Sequence, residues 1–429
     1  MKVFKFGGAS IHDSAGFRRL SEIVKKEVEE NQQGLCLVVS ALGKTTNTLE
    51  KLSHSFYYKQ ADLNLYFDRV KTMHYGLAKE LFPTGHSIFS ELDNGFLEIE
   101  WVIEEEPHTG YNFIYDQIVS IGEILSSKMV WAFLQMQGIS SEWVDSRGYI
   151  QTDNQYRSAK VNWTLSKSLI ENQLKNPIKT KTLVCPGFIG GTSENYSTTL
   201  GREGSDYSAA IFASSLGAES LTLWKDVPGI MNADPKINPK ALFIPELSFH
   251  ELSELSFYGA NVIHPKTIKP LWENKIPLIV KSFLDPEKPG TLIGEKSTKS
   301  PYPIYILKRK QMLLSLYSLD GSFIMEENLS HIYSVFTKKG IHINLSVNSA
   351  LSFSVLIDQE RYQEQVPELL SSLNDFWKVR FNQDLNLLTV RYNDPENLDL
   401  EPFIGGEEIL IEISTRHTLQ KVSRKRPTI

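Results

Sequence analysis

Over roughly the first 290 residues, short β-rich runs alternate with helical patterns, and this alternation constrains the fold more than any other feature. VFKF, LCLVVSA, SEWVDS, TLVCPGF, SLTLWKDV and PLIVKSF read as strands. Strands joined through helices must run parallel, and a parallel sheet needs cover on both faces. Between the first two runs, Phe17, Leu20, Val24 and Val28 recur at helical spacing behind Asp13 and Ser14, so a capped crossover helix is expected there. Residues 53–137 read as mostly helical and longer than one crossover requires. The expected architecture is an α/β/α sandwich around a mostly parallel central sheet.

The stretch DPEKPGTLIGEKSTKSPYP, Asp285 to Pro303, is rich in Pro, Gly, Ser and Lys and reads as a linker. This divides the chain into a domain over 1–290, a linker over 291–303 and a second region over 304–429. A chain of 429 residues is long enough for each part to bury its own core. Beyond the linker, YILKRKQMLLSLYSL, a helical EENLSHIYSVFTKKG, IHINLSV, LSFSVLID and a helical RYQEQVPELLSSL follow the order of a small ferredoxin-like unit. A strand LLTVRYN and a pair within EEILIEISTRHTLQKV come next with no helix after them, as in a second unit cut short. The basic tail KVSRKR reads as a solvated end.

Composition decides which partners are plausible. With 45 basic against 51 acidic residues the net charge is −6, which leaves no electrostatic footprint for nucleic acid or an anionic membrane. Small molecules, or a second copy of the chain, fit better. Cys36 and Cys185 each sit in an apolar run, so buried thiols in a reducing compartment are expected rather than a disulfide or a metal site. No apolar run reaches the roughly 18 residues of a membrane span, and MKVFKFGG lacks the apolar core of a signal peptide. The expected location is the cytoplasm.

Three loops carry candidate chemistry. In KFGGAS, Lys5 to Ser10, adjacent glycines where a strand meets a helix let backbone N–H groups approach an anion, and Lys5 adds charge. SALGKTTN contains GKT but has Val38 where a Walker loop needs glycine, so that assignment is rejected. TTLGREGSDYSAA runs into a helix expected to start near Ser205 as N-cap, with Asp206 at its positive end, Ala209, Ala210, Ala213 and Leu216 on its packed face, and Gly217 ending it. Packing does not explain Arg202, a fork suited to carboxylate or phosphate. In LWKDVPGIMNADPK a strand ends at Asp226 and a turn leads to Asp234 and Lys236, where α/β sheets bind ligands.

Taken in this order, with SIGEILSS, GFIGG and FYGANVIHP, the motifs resemble the aspartate kinases of the amino-acid kinase family, and the C-terminal region resembles an ACT regulatory domain. The resemblance implies transfer of the ATP γ-phosphoryl group to the side-chain carboxylate of L-aspartate, giving 4-phospho-L-aspartate at the head of lysine, threonine and methionine synthesis. It implies that Lys5 meets the transferring phosphate, that Gly7 and Gly8 cradle it, and that Asp206 orients these groups. Ser40, Thr45, Glu123, Arg202 and Ser205 would hold the substrate, with Glu123 on its amino group and Arg202 on a carboxylate. Lys5, Gly8, Ser10, Lys225, Asp226, Asp234 and Lys236 would face the nucleotide, and Mg²⁺ would bridge phosphate oxygens with no direct protein ligand named.

An amino-acid effector would lie between the turn of Asp320 and Phe323 and the strand of Asn344, Asn348 and Ser349, and a homodimer or higher oligomer would form through the same region. The chain departs from the family pattern at Glu203, where glycine is usual, at Lys225, where threonine is usual, at Lys236, where arginine is usual, and at Asn261, where lysine is usual. Asn344 and Ala350 stand where some relatives place acidic residues. Two alternatives stay open at this point: a related kinase of another acidic metabolite or carbamate, and a catalytically weak ACT-type sensor. No G-x-G-x-x-G occurs, so no dehydrogenase activity is expected.

Overall fold

A computed structural model describes residues 1–31, 34–104, 106–107, 109–260, 262–296, 300, 302–393 and 398–426. The chain forms two compact units, Met1–Ile230 with Phe243–Ser256 and Asn261–Thr298, and Met231–Leu242 with Phe257–Ala260 and Lys299–Ile429.

The elements run β1 (Lys2–Phe6), α1 (Ser14–Asn31), β2 (Leu35–Val39), α2 (Thr45–Tyr57), α3 (Leu63–Leu81), α4 (Ile88–Glu104), α5 (Tyr111–Met136), β3 (Ser141–Trp143), α6 (Trp163–Leu174) and β4 (Thr182–Pro186). Then come β5 (Ile189–Gly191), β6 (Ser197–Thr199), α7 (Gly204–Leu216), β7 (Ser220–Lys225), β8 (Ile230–Met231), β9 (Phe243–Ile244), β10 (Glu246–Ser248), α8 (Phe249–Tyr258), α9 (Pro265–Glu273), β11 (Leu278–Ser282) and β12 (Thr291–Gly294). The C-terminal elements are β13 (Ile304–Ser318), α10 (Glu326–Lys338), β14 (Leu345–Asn348), β15 (Ser352–Asp358), α11 (Val366–Asn374), β16 (Trp377–Arg391), α12 (Glu401–Ile404), β17 (Glu408–Ser414) and β18 (Thr418–Arg424).

In the first unit the sheet order is β10-β12-β11-β7-β1-β2-β4-β3. The strands from β11 to β3 are mutually parallel, and β12 runs antiparallel to β11. Every residue of β2 is buried, as a strand covered on both faces must be. Helix α7 packs on β1, β2 and β7, while α5 packs on β2, β3 and β4. Phe17, Leu20 and Val24 of the crossover helix are fully buried, and Asp13 caps it by accepting from Gly16 N at 2.7 Å. The α/β/α expectation therefore holds. Thr291–Gly294, within the stretch read as a linker, is strand β12 of this sheet, held by β10 and β11 on either side. Cys36 and Cys185 are free, buried thiols.

The second unit is a six-stranded antiparallel sheet, β14-β15-β13-β16-β18-β17. Strands β13 and β16 pair along most of their length, with a register irregularity between Lys308 and Leu313. On one side of that kink, β13, α10, β14, β15, α11 and β16 complete a ferredoxin-like β-α-β-β-α-β unit around Leu314, Leu316, Ile332, Phe336, Leu369 and Leu373. On the other side, β13, β16, β18 and the single turn α12 pack together through Tyr305, Leu388, Val390, Phe403 and Leu419. The basic tail is solvated only in part: β18 runs to Arg424 between β16 and β17, with Val422 and Ser423 buried, while Lys425 and Arg426 beyond it are exposed. Lys421 and Arg424 are neutralised by Glu412 and Glu408 across the β17 pairing, at 2.9 and 2.8 Å.

Candidate active site

The C-terminal ends of β1, β2, β4 and β7 converge. Ser40 N donates to Phe6 O at 3.1 Å and Gly187 N to Val39 O at 2.8 Å, so the loops leave the sheet side by side. Loop KFGGAS turns tightly, with Ser10 N donating to Gly7 O and Gly43 N to Gly8 O. A Cβ at Gly8 would lie 2.5 Å from Ala41 O and 2.8 Å from Gly43 O, so only glycine lets the two loops meet. Ser10 is buried and its N–H is used by the turn itself.

Lys5 projects from β1 toward the first turn of α7 and places Nζ 2.6 Å from Asp206 Oδ1. The other oxygen of Asp206 lies 3.5 Å from Lys225 Nζ, at the end of β7. Lys225 also donates to Val262 O at 2.7 Å. Burial works against the Asp206 charge, but Lys5 and Lys225 outweigh it and hold the carboxyl below its ordinary range. Two ammonium groups on one buried carboxylate, at the positive end of a helix, leave net positive charge where an anion can approach.

Glu123 is buried in α5, and Oε1 accepts a long 3.4 Å hydrogen bond from Ala41 N. Its Oε2 and Thr45 Oγ1 are buried without a hydrogen-bond partner among the described residues. Burial is the main reason Glu123 is pushed up to about 8, against the lowering effect of the Ala41 N–H and of Lys5. Orphaned buried oxygens cost about 1–3 kcal/mol each, so a group donating to them gains more than it would on the surface. Ser40 stands beside them, its carbonyl accepting from Ser126 Oγ at 2.7 Å.

Helix α7 starts at Gly204, and its N-cap is Glu203, two residues before the expected cap Ser205, in the left-handed region at φ 55°. That conformation is the physical reason glycine suits this position. Glu203 also does not turn outward: its Oε2 is buried without a hydrogen-bond partner among the described residues. Ser205 is nearly buried and packs where a Cβ on Gly187 would come within 2.7 Å. Arg202 is exposed on the loop between β6 and α7.

The structure thus brings Lys5, Gly7, Gly8, Asp206 and Lys225 together, with Ser40, Thr45 and Glu123 on the adjoining loop and helix. Asp226 follows Lys225 and is exposed. Asp234 and Lys236 belong to the second unit, where Asp234 Oδ1 accepts from Lys236 N at 2.9 Å. Asn261 lies outside the described residues. No cluster of His, Cys, Asp and Glu suited to a metal occurs among the described residues, and no described helix is long and apolar enough to cross a membrane. The sequence reading missed Asp116, a carboxylate two turns before Glu123 on α5. The only signal was an acid among the inward-facing Ile114, Ile118 and Ile121.

Adjacent glycines and two lysines at the strand ends of a parallel sheet suit a phosphate-handling α/β protein, and comparison with known proteins gives the class: residues 1–282 match the amino acid kinase family, and the chain belongs to it. The individual relatives are aspartokinases. The chain is 28% identical over 399 residues to lysine-sensitive aspartokinase 3 of Escherichia coli (strain K12), covering 91% of this chain and 87% of that one. It is 30% identical over 374 residues to chloroplastic aspartokinase 1 of Arabidopsis thaliana, covering 84% of this chain and 63% of that one. The crystal structure of E. coli aspartokinase III with aspartate and ADP, described as the R-state, matches with TM-score 0.84 at 26% identity, over 99% of this chain and 96% of that one. The same enzyme with lysine and aspartate, described as the T-state, matches with TM-score 0.80 at 26% identity, over 98% and 95%.

Proposed function

We propose that this chain transfers the γ-phosphoryl group of ATP to the side-chain carboxylate of L-aspartate, giving 4-phospho-L-aspartate and ADP, the entry to lysine, threonine and methionine synthesis. The observation that carries this reading is the Lys5–Asp206–Lys225 cluster set beside Glu123, whose second oxygen has no hydrogen-bond partner among the described residues. A phosphate-binding charge and a carboxylate awaiting a cation suit a nucleotide and an amino acid held together. The aspartokinase relatives, one of them holding aspartate and ADP, point to the same pair.

In the reaction a substrate carboxylate oxygen attacks the γ-phosphorus, the new O–P bond forms as the bond to the β,γ-bridging oxygen breaks, and that electron pair leaves with ADP. The carboxylate is already ionised at neutral pH, so no base is required. Catalysis is positioning and charge stabilisation. Lys5, with the Gly7 and Gly8 backbone, holds the transferring phosphate, and Asp206 keeps Lys5 and Lys225 aimed. Glu123, Thr45 and Ser40 take the substrate amino end, while Arg202 and Ser205 take a carboxylate. Ser10, Lys225, Asp226, Asp234 and Lys236 are assigned to the nucleotide side, with Ser10 acting through the turn it closes.

Asp206, the only acid in the lysine cluster, is occupied by two ammonium groups, so the donor set does not form a metal cage. Mg²⁺ fits as an ion carried on phosphate oxygens, where it would neutralise charge on the β- and γ-phosphates. An effector site at Asp320, Phe323, Asn344, Asn348 and Ser349, and self-association through the C-terminal unit, complete the proposal. Hydroxylamine trapping of the acyl phosphate tests it, with ATP and Mg²⁺ supplied alongside aspartate, glutamate or carbamate. Hydroxamate from aspartate alone is expected. A product from another acid, or none, would replace this reading with one of the alternatives.

A further inference from the structure

Asp116 is fully buried on α5 and accepts from three donors on two other segments. Arg157 N lies 3.1 and 3.0 Å from its two oxygens. Thr199 donates twice, from N at 2.8 Å and from Oγ1 at 2.7 Å. The next residue along the helix, Gln117, clamps Ser197 in both directions, at 2.9 and 3.1 Å. Strand β6 is therefore strapped to α5 immediately before the loop that carries Arg202. The loop at Arg157 joins the same strap, since Ala159 N donates to Thr199 O at 3.0 Å.

Among the described residues, every hydrogen-bond partner of Asp116 is a donor, and an acceptor-only side chain satisfies them together. An asparagine would turn its NH₂ toward an N–H. Burial pushes the Asp116 carboxyl up to about 6, and the hydrogen bonds from Arg157 and Thr199 oppose that rise. A site that needed only packing would be served better by an apolar residue.

Position gives this strap a use. Asp116 and Glu123 are seven residues apart on one continuous helix, which puts them on the same face about 10 Å apart. Three residues beyond Thr199 comes Arg202. Helix α5 thus carries at one point the group assigned to the substrate amino end, and at another the anchor of the loop assigned to its carboxylate.

We infer that Asp116 is a positioning residue that fixes the Arg202 loop against the helix bearing Glu123, and so sets the length of dicarboxylic amino acid the site accepts. This rests on the aspartate kinase reading and deepens it. Asp116 touches neither substrate nor nucleotide in this role and acts through Thr199 and the backbone that follows.

The test is steady-state kinetics on the full chain carrying Asp116→Asn, Thr199→Val, Arg202→Ala and the Asp116→Asn/Arg202→Ala pair, with aspartate and glutamate as acceptors. Loss of a charged hydrogen bond predicts that Asp116→Asn raises the aspartate KM roughly 10- to 100-fold while the ATP KM stays within about twofold. The preference for aspartate over glutamate should fall, and Asp116→Asn should add nothing to the aspartate KM in the Arg202→Ala background. Thr199→Val, which removes one of the four contacts and keeps the carboxylate, should give a smaller rise of the same kind, and it decides the matter if Asp116→Asn does not fold. An unchanged aspartate KM, a parallel rise in both KM values, or full additivity with Arg202→Ala would overturn the inference. A parent chain that does not phosphorylate aspartate would instead overturn the functional reading, so the two failures are separable.

Discussion

Lys5 and Glu203 show opposite relations between a residue and its site. Lys5 is committed to charge: its ammonium sits on Asp206 at 2.6 Å, and a Cβ at Gly7 would stand 3.6 Å from it, so glycine keeps it approachable. In Lys5→Ala, Lys225 still faces the buried carboxylate at 3.5 Å, so the fold survives. The transition state, however, loses a stabilising charge, and turnover should fall at least ~10²- to 10³-fold. Turnover within about tenfold of the parent, in a variant with unchanged circular dichroism, would remove Lys5 from the transfer step. Glu203 is a liability by comparison, a side chain in left-handed backbone with one buried, unpartnered oxygen. Glu203→Gly should relieve both and stabilise the protein by about 1–2 kcal/mol after the larger unfolded-state entropy of glycine is counted. Removing a negative charge beside an anion site should also lower the aspartate KM. Thermal unfolding and kinetics check the two effects separately, and a lower melting temperature would show that Glu203 makes a compensating contact.

At the scale of elements, α5 ties stability to the proposed substrate site through Glu123. Its carboxyl rises from 4.5 to about 8 on folding, so the folded chain holds a proton that the unfolded chain has lost. The Glu123 contribution therefore falls as pH rises from about 4.5 to about 8, and is level outside that window. A substrate ammonium on the unpartnered oxygen reverses the shift, so aspartate binding near pH 7 should release up to about one proton. Calorimetry in buffers of different ionisation enthalpy reads that number directly. Glu123→Gln should abolish the release, and a parent chain that binds aspartate without releasing a proton would show that Glu123 is ionised before substrate arrives.

The same element shows what sequence can and cannot reveal. Glu123 was legible because it sits in a recognisable run, SIGE, and the central strands were legible because parallel strands are apolar throughout. Asp116 was not, because its partners are two backbone N–H groups and a threonine hydroxyl at residues 157 and 199, far away in the chain. Strand β12 was hidden among linker-like residues, since its place depends on β10 and β11 rather than on its own propensity. The first half of β16 was missed for a related reason. Lys378 and Arg380 alternate with Trp377 and Val379 there, and pairing with β13 makes the segment a strand. The N-cap of α7 was misplaced by two residues because Ser205 looks like a cap, whereas the left-handed turn at Glu203 sets the boundary.

For the whole molecule, the open question is which amino acid, if any, the C-terminal unit reports to the kinase. An effector acts only by binding one state of the protein better than another, and it must then change aspartate affinity as aspartate changes its own. A lysine effector needs an anionic partner for its side-chain ammonium, because a desolvated cation without one binds poorly. At the expected position stands Asn344, which is neutral and already engaged: its Oδ1 accepts from Lys308 Nζ at 2.7 Å and its Nδ2 donates to Gln311 Oε1 at 2.7 Å. Lys308 is itself half-buried, and burial pulls its pKa down, so the position carries a cation of the chain's own and would repel another. Ala350 supplies no carboxylate nearby in sequence. Lysine titrated at subsaturating aspartate should therefore leave the rate unchanged, and threonine, whose side chain brings no second charge, is the effector to compare with it, with methionine as a further control. Lys308→Met removes the resident cation without adding an anion, so it should not by itself confer lysine sensitivity. Tight lysine inhibition of the parent chain would mean that another carboxylate receives the ammonium and that Asn344 is not the residue that decides the response.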